Sequence, residues 1–146
     1  MRLKILFLCT GNSCRSQMAE GWVRSLYGDI MEAASAGIEK HGLDPKAVKV
    51  MAEVGINISG QQSKRIDELP SLEFDYVITL CDNARESCPL FPGEAELLHA
   101  GFPDPVELAK NIPDEDQKLV CYRRVRDEIA SFIKNLPDLL KGPGEA

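Results

Sequence analysis

The stretch LKILFLCTGNSCRS, residues 3–16, constrains the fold of this chain more than any other part of it. It begins with an apolar run that ends at Cys9, which is typical of a strand buried on both faces in a parallel sheet. An apolar stripe at helical spacing follows, formed by Met18, Ala19, Trp22, Val23, Leu26 and Tyr27. The pattern predicts a strand over 3–9, a loop, and a helix that begins near Arg15 and stops at Gly28.

Further segments repeat this alternation. Short apolar runs predict strands near 32–36, over 74–81 and over 97–102. Between the first two, Asp44 is placed to cap a helix whose first residue is Pro45. Strands that alternate with helices predict an α/β fold, a three-layer sandwich around a central four-stranded parallel sheet.

The C-terminal part predicts one more helix. From about Glu115 an apolar stripe recurs at helical spacing, and Pro137 should end or kink that helix. The last residues, 142–146, are expected to be a flexible tail. With 146 residues and 44% hydrophobic residues, the chain is expected to be one catalytic domain over 1–146.

Charge and hydropathy exclude several partners. A formal charge of −6 argues against a nucleic-acid binder, which needs a broad basic face. No segment approaches the roughly 20 apolar residues of a membrane span. The N-terminal apolar run is too short for a secretory signal and lacks a small-residue cleavage site. We therefore expect a cytoplasmic protein with no membrane partner.

The cysteines point to chemistry more than to a scaffold. There are five, an odd number, at positions 9, 14, 81, 88 and 121, so they cannot all pair within one chain. Their spacing is not that of a zinc site, and His41 and His99 lie far from them in sequence, so we expect no metal and interpret both histidines as surface or structural residues. In a reducing compartment such cysteines are catalytic, redox-active or simply buried.

The loop TGNSC between Cys9 and Arg15 is suited to binding an oxyanion. Ligands of parallel sheets bind beyond the carboxyl ends of the strands, where Cys9, Cys81 and the loop after 97–102 should meet. Backbone N–H groups, the helix N-terminus and the Arg15 guanidinium can hold a tetrahedral anion there. The same field favours the thiolate form of Cys9. The competing interpretation is an inert, buried Cys9 in an ordinary turn.

The motifs CTGNSCRS, SAGIEKHGLDPKAV, VITLCDNARESCP and HAGFPDP resemble the low-molecular-weight protein tyrosine phosphatases, and more closely the thioredoxin-coupled arsenate reductases built on that fold. The resemblance covers nearly the whole chain. It implies that Cys9 is the nucleophile, that Arg15 holds the oxyanion and that Asp104 is the general acid. The loop residues that would bind the oxyanion or support the loop are Thr10, Gly11, Asn12, Ser13, Cys14 and Ser16, with the Ser16 hydroxyl next to the Cys9 sulfur and Cys14 a packing residue.

The same resemblance implies a thiol relay. Cys9 would attack arsenate, Cys81 would attack the Cys9 sulfur and release arsenite, and Cys88 would then pair with Cys81. Thioredoxin or another thiol reductant would reduce that disulfide, and no cofactor is implied. The enzymatic alternative is a tyrosine phosphatase that uses Cys9, Arg15 and Asp104. A binding-class alternative is a phosphate-carrying component of sugar transport.

Two further expectations concern the surroundings of the loop. If residues 81–88 were helical, the two Cα atoms would lie roughly 10 Å apart, too far for a disulfide, so oxidation should loosen residues 82–91. Some similar proteins hold potassium with residues that match Asn12, Glu20 and Ser35 together with an acid at the position of Lys64. Because a lysine ammonium repels a cation and can take its place, we expect no potassium site here.

Overall fold

The computed structural model describes residues 2–82 and 94–141, and four parallel strands lie at its centre. The strands are β1 (Leu3–Cys9), β2 (Met31–Gly37), β3 (Tyr76–Thr79) and β4 (Glu96–His99), and their spatial order is β2-β1-β3-β4. Every pair is parallel, which confirms the α/β fold with a four-stranded parallel sheet that the sequence predicts.

Two of the strands are shorter than the apolar runs that predict them. β3 covers only 76–79 of the expected 74–81, and β4 covers 96–99 where 97–102 was expected. The backbone past β4 still pairs with β3 and the residue after it. Ala100 N donates to the Thr79 carbonyl, and Phe102 N donates to the Leu80 carbonyl. Backbone pairing therefore continues for a few residues beyond the regular strands, as the longer apolar runs do.

The described helices are α1 (Arg15–Tyr27), α2 (Pro45–Glu53), α3 (Pro105–Ala109), α4 (Glu115–Lys134) and α5 (Leu136–Lys141), with a 3-10 turn at Ile66–Glu68. Asp44 caps α2 as expected, since its carboxylate accepts from Lys46 N. The short helix α3, capped by Asp104, was not predicted. None of the helices among residues 2–82 and 94–141 is long and apolar enough to cross a membrane.

The C-terminal helical pattern divides into two helices. α4 ends at Lys134, Asn135 caps it, and α5 then begins at Leu136. Pro137 is the second residue of α5, a position where a missing N–H breaks no helical hydrogen bond. The expected break at this proline is therefore confirmed, and it lies two residues before the proline itself. The tail at 142–146 falls outside the described residues.

The core lies on both faces of the sheet because successive side chains of a strand point in opposite directions. Ile5 and Phe7 join the larger cluster, under the helices, whereas Leu6 and Leu8 join a smaller one that Ile66 packs against. All four are fully buried, which explains the continuous apolar run of β1. The predicted stripe of α1 is correct for its first four members, but Leu26 in its last turn is 38% exposed.

Candidate active site

The carboxyl ends of β1 and its two neighbours meet at one edge of the sheet. Cys9 is the last residue of β1 and pairs with Gly37, the last residue of β2. On the other side, Leu80 N donates to the Leu8 carbonyl at 2.8 Å. Because Cys9 follows Leu8 and Cys81 follows Leu80, the two cysteines leave the sheet side by side.

The loop after Cys9 turns its carbonyl groups outward. The carbonyl of Thr10 accepts from Glu39 N at 3.0 Å, that of Gly11 from His41 N at 2.9 Å, that of Asn12 from Gln17 Nε2 at 3.0 Å and that of Ser13 from Asp44 N at 3.1 Å. In a trans peptide the next N–H points away from the carbonyl. The N–H groups of residues 11–14 therefore face the inside of the loop, which is the arrangement that holds a tetrahedral oxyanion.

Asn12 fixes the shape of this loop. It is fully buried and has a φ of +49°, in the left-handed region that asparagine tolerates better than most residues. Its side-chain oxygen accepts from Lys64 N at 2.8 Å and from Gln17 Nε2 at 3.0 Å. Its amide nitrogen donates to Ser16 Oγ at 2.7 Å. The expectation that Asn12 shapes the loop through its side chain agrees with these contacts.

Ser16 connects Asn12 to Cys9 through hydrogen bonds. Ser16 Oγ lies 2.9 Å from Cys9 Sγ, and both side chains are buried. Because the Asn12 amide can only donate, the Ser16 hydroxyl proton remains available to donate to the sulfur. A donated hydrogen bond of this kind stabilises negative charge that develops on the sulfur when a bond to it breaks.

The absence of a side chain at Gly37 allows the loop to pack against β2. A Cβ at this position would lie 2.7 Å from the carbonyl oxygens of Thr10 and Glu39 and 2.9 Å from Asn12 N. All three atoms belong to the backbone, so none of them can move aside easily. The loop geometry therefore depends on a residue that lies more than twenty positions away in sequence.

Arg15 and Asp104 both line the pocket, and their side chains lie close to each other. The Arg15 guanidinium is buried and donates to the Phe102 carbonyl at 3.2 Å, and its other nitrogen lies 3.8 Å from Asp104 Oδ2. Asp104 Oδ1 accepts from Val106 N and so caps α3. The short helix that sequence analysis missed is thus the element that holds the predicted general acid.

The pocket has a volume of about 210 Å³. It is lined by Cys9, Thr10, Gly11, Ser13, Cys14, Arg15, His41, Asp104, Val106 and Glu107. Sequence analysis missed three of these, His41, Val106 and Glu107. His41, interpreted from sequence as a surface or structural residue, packs against the loop: a Cβ on Gly11 would overlap its ring, and its Nε2 is hydrogen-bonded to Glu39. No local pattern in the sequence signals that contact.

Cys14 differs from Cys9 in its partners. Its thiol donates to Asp44 Oδ2 at 3.1 Å, and the Tyr122 hydroxyl donates to the same oxygen at 2.7 Å. Burial, and then the negative charge and hydrogen bond of Asp44, raise the pKa of the Cys14 thiol well above its ordinary value. Cys14 therefore stays protonated, which agrees with its interpretation as a packing residue.

The Lys64 ammonium lies among the residues that would hold potassium in similar proteins. Its Nζ donates to the Ser35 carbonyl at 3.2 Å and to the Gln62 carbonyl at 2.9 Å. Ser35 Oγ in turn donates to Glu20 at 2.7 Å. In the part of the chain that the structure describes, no cluster of three or more histidine, cysteine or acidic side chains is placed to hold a metal ion.

Cys81 is fully buried at the end of β3 and is disulfide-bonded, whereas Cys9, Cys14 and Cys121 are free. Cys88 and most of the segment 82–91 lie outside the described residues. The predicted pairing of Cys81 with Cys88, and the predicted loosening of 82–91 on oxidation, therefore stay predictions.

The sequence was compared with known families and proteins. Residues 4–143 match the family described as low molecular weight phosphotyrosine protein phosphatase. The arsenate reductase of Halalkalibacterium halodurans is 50% identical over 92% of this chain and 94% of its own length. That of Bacillus subtilis is 49% identical over the same shares.

Solved structures give a similar result. A structure titled as an arsenate reductase in the phosphate binding state superposes with a TM-score of 0.72 at 34% identity, over 93% of this chain and 96% of that one. A low molecular weight protein tyrosine phosphatase from T. tengcongensis superposes with a TM-score of 0.71 at 26% identity, over 93% and 98%. The fold is thus shared by proteins named for reduction and for dephosphorylation.

Proposed function

This chain belongs to the low molecular weight phosphotyrosine protein phosphatase family and groups with its arsenate reductases, and we propose that it reduces arsenate to arsenite by a thiol relay. Arsenate is a tetrahedral oxyanion, as is phosphate. It fits the inward-facing N–H groups of residues 11–14 and the Arg15 guanidinium.

In the first step the Cys9 thiolate attacks arsenic. A sulfur–arsenic bond forms, an arsenic–oxygen bond breaks, and the departing oxygen takes a proton from Asp104. Asp104 lines the same pocket as Cys9 and Arg15, which supports this role. No electron has yet been transferred at this stage, so the same residues would equally serve phosphoryl transfer.

In the second step Cys9 and Cys81 together supply two electrons. The Cys81 thiolate attacks the Cys9 sulfur, a Cys9–Cys81 disulfide forms, and the sulfur–arsenic bond breaks with its electron pair going to arsenic. Arsenate is thereby reduced by two electrons to arsenite, and two thiols are oxidised to one disulfide. Cys88 then attacks Cys81, which frees Cys9 and leaves a Cys81–Cys88 disulfide.

The redox state of the cysteines carries this proposal. Cys81 is disulfide-bonded while Cys9, which leaves the sheet beside it, is free. A free Cys9 together with an oxidised Cys81 is the state expected after one round of the relay. Hydrolysis of a phosphate ester, in contrast, requires no cysteine besides Cys9. The disulfide would be recycled by thioredoxin or another thiol reductant in the cytoplasm, without a bound cofactor.

Dephosphorylation is the second candidate function. The observation that favours it is the shared pocket of Cys9, Arg15 and Asp104, which contains every group that attack on an aryl phosphate requires. Such hydrolysis can accompany arsenate reduction as a residual activity, because the two reactions share their first step. The phosphate-carrier alternative is disfavoured by Asp104, since a carrier has no need of a general acid in the pocket.

The test is arsenate turnover with thioredoxin, thioredoxin reductase and NADPH, measured for wild type and for Cys88→Ser. We expect many turnovers in the wild type and no recycling in the variant. Cys121→Ser is the matched control, because Cys121 lies on α4 and its sulfur contacts only the Gln117 carbonyl among the described hydrogen bonds. If wild type and Cys88→Ser are both inert toward arsenate yet hydrolyse an aryl phosphate equally, the phosphatase alternative is correct.

A further inference from the structure

The oxyanion loop contains a second cysteine, Cys14, that the relay does not use. It lines the same pocket as Cys9 and lies at the N-cap of α1, where the helix field favours a thiolate. An ionised Cys14 could attack the Cys9 sulfur of the arsenic adduct in place of Cys81. A Cys9–Cys14 disulfide would form and arsenite would leave, so atoms and electrons balance, but the nucleophile would be trapped.

Asp44 is placed to prevent this side reaction. One of its oxygens, Oδ2, accepts from the Cys14 thiol at 3.1 Å and from the Tyr122 hydroxyl at 2.7 Å. The other oxygen accepts from Lys46 N at 2.8 Å, and Asp44 N donates to the Ser13 carbonyl at 3.1 Å. The Asp44 carboxylate accepts from α2 and α4, and its backbone N–H donates to the loop, so the carboxylate accepts the hydrogen bond of the Cys14 thiol and cannot turn away from it.

The two acidic groups that face Cys14 both favour its protonated form. Asp44 faces it from the start of α2, and Asp104 faces it from the start of α3. The Tyr122 hydroxyl, on α4, stays protonated because burial raises its pKa, so it donates to Asp44 and keeps the carboxylate in place. Ser13 Oγ is 3.7 Å from the sulfur and is the one nearby donor that favours the thiolate among the described contacts.

We propose that Asp44, fixed by Tyr122, is a positioning residue that keeps the Cys14 thiol protonated and bound away from the reaction, so that the arsenic adduct on Cys9 is resolved by Cys81 alone. This inference rests on the proposed arsenate reduction. It assigns a second role to the residue that caps α2, which is to determine whether Cys81 or Cys14 attacks the Cys9 sulfur.

The variant that tests it is Asp44→Asn, with Asp44→Ser beside it. Asparagine and serine also cap helices, so α2 keeps its cap while the charge beside Cys14 is lost. Asp114→Asn is the matched control, because Asp114 caps α4 in the same way, accepting from Asp116 N, and has no described contact with Cys14. Comparable melting temperatures of the three variants establish that they are folded.

The first readout requires no arsenate. Cys14 thiolate is measured by ultraviolet absorbance against pH, as the difference between each protein and its Cys14→Ser counterpart. We expect about tenfold more Cys14 thiolate at a given pH in Asp44→Asn and Asp44→Ser than in wild type, and no change in Asp114→Asn. Equal thiolate in all four proteins would overturn the role of Asp44.

The second readout follows one equivalent of arsenate without reductant, with disulfides mapped by mass spectrometry. Several-fold more Cys9–Cys14 disulfide in Asp44→Asn than in wild type and Asp114→Asn is expected, and an unchanged amount contradicts the inference. Arsenite release by the wild type tests the proposed function separately. If no arsenite is released, the thiolate measurement still decides whether Asp44 holds the Cys14 proton.

Discussion

The loops that follow β1 and β3 both begin with a buried cysteine at the same edge of the sheet, yet their surroundings differ. The loop after Cys9 is held by hydrogen bonds that four of its carbonyls accept on the outside, by the buried Asn12 and by a buried arginine. Cys81 instead enters a disulfide directly after its strand. The first loop therefore has a geometry that suits an anion, whereas the second begins with an oxidised cysteine.

In the proposed mechanism this difference separates two tasks. Residues 10–15, the anion loop, would serve the step that dephosphorylation and arsenate reduction share, which is attack by a thiolate on a tetrahedral oxyanion. Cys81, just beyond β3, would serve the step that only arsenate requires, which is the transfer of two electrons. Substitutions in the two loops should therefore have separable effects, and the following predictions test this from the largest expected effect to the smallest.

Cys9→Ser should abolish both chemistries. Loss of the nucleophile removes the first step common to them, so arsenate reduction and aryl phosphate hydrolysis should each fall by roughly 10³-fold or more. Steady-state rates with both substrates measure this, with Cys121→Ser as the control that keeps wild-type rates. Retention of either activity in Cys9→Ser would mean that the loop after β1 does not carry the first step.

Arg15→Lys should weaken oxyanion binding by the anion loop and leave disulfide exchange at Cys81 unchanged. Lysine keeps the charge but loses the planar fork that can hold two oxyanion oxygens, so kcat/KM for arsenate should fall roughly 100-fold. Disulfide exchange at Cys81 with a small thiol, followed by mass spectrometry, should proceed at the wild-type rate. A fall in both rates would contradict the separation of the two loops.

Gly37→Ala should distort the anion loop even though Gly37 lies in β2 and not in the loop itself. The added Cβ would lie 2.7 Å from two backbone oxygens, and such overpacking costs about 1–3 kcal/mol of stability. Denaturant unfolding and the KM for arsenate measure the effect, and we expect lower stability together with a higher KM. The control is Gly60→Ala, where a Cβ meets nothing within 4 Å and both quantities should stay near wild type.

Potassium should have no effect on turnover. The Lys64 ammonium donates to the Ser35 and Gln62 carbonyls, beside the residues that would otherwise surround a cation. Rates measured in potassium and sodium salts at equal ionic strength should agree. A clear stimulation by potassium alone would show that a cation binds near the anion loop in spite of the lysine.

The unit from β1 to α1 could be predicted closely because its signals are local. A continuous apolar run and a stripe at helical spacing lie within 25 residues, and the observed bounds of Leu3–Cys9 and Arg15–Tyr27 follow them. The short helix α3 could not be predicted, since five residues give no periodic pattern. The resemblance implied that Asp104 is the general acid, but no local pattern predicted that it caps a helix next to Arg15.

The contacts between the loop and distant segments of the chain could not be predicted from local patterns. Asp44 was recognised as the cap of α2, but its bonds to Cys14 and Tyr122 join positions 30 and 78 residues apart. Gly37 likewise matters only because two backbone segments approach it. Local patterns identify which residues can do chemistry, whereas tertiary packing decides which of them are held in place or kept inactive.

The central claim is that the loop after β1 binds arsenate and that reduction requires Cys81 as the second thiol. The direct test is a single turnover of reduced protein with one equivalent of arsenate and no reductant, comparing wild type with Cys81→Ser. The wild type should release about one arsenite per chain, whereas Cys81→Ser should bind arsenate and release none. Release of arsenite by Cys81→Ser at the wild-type yield would contradict the account, because the thiols of the loop would then suffice.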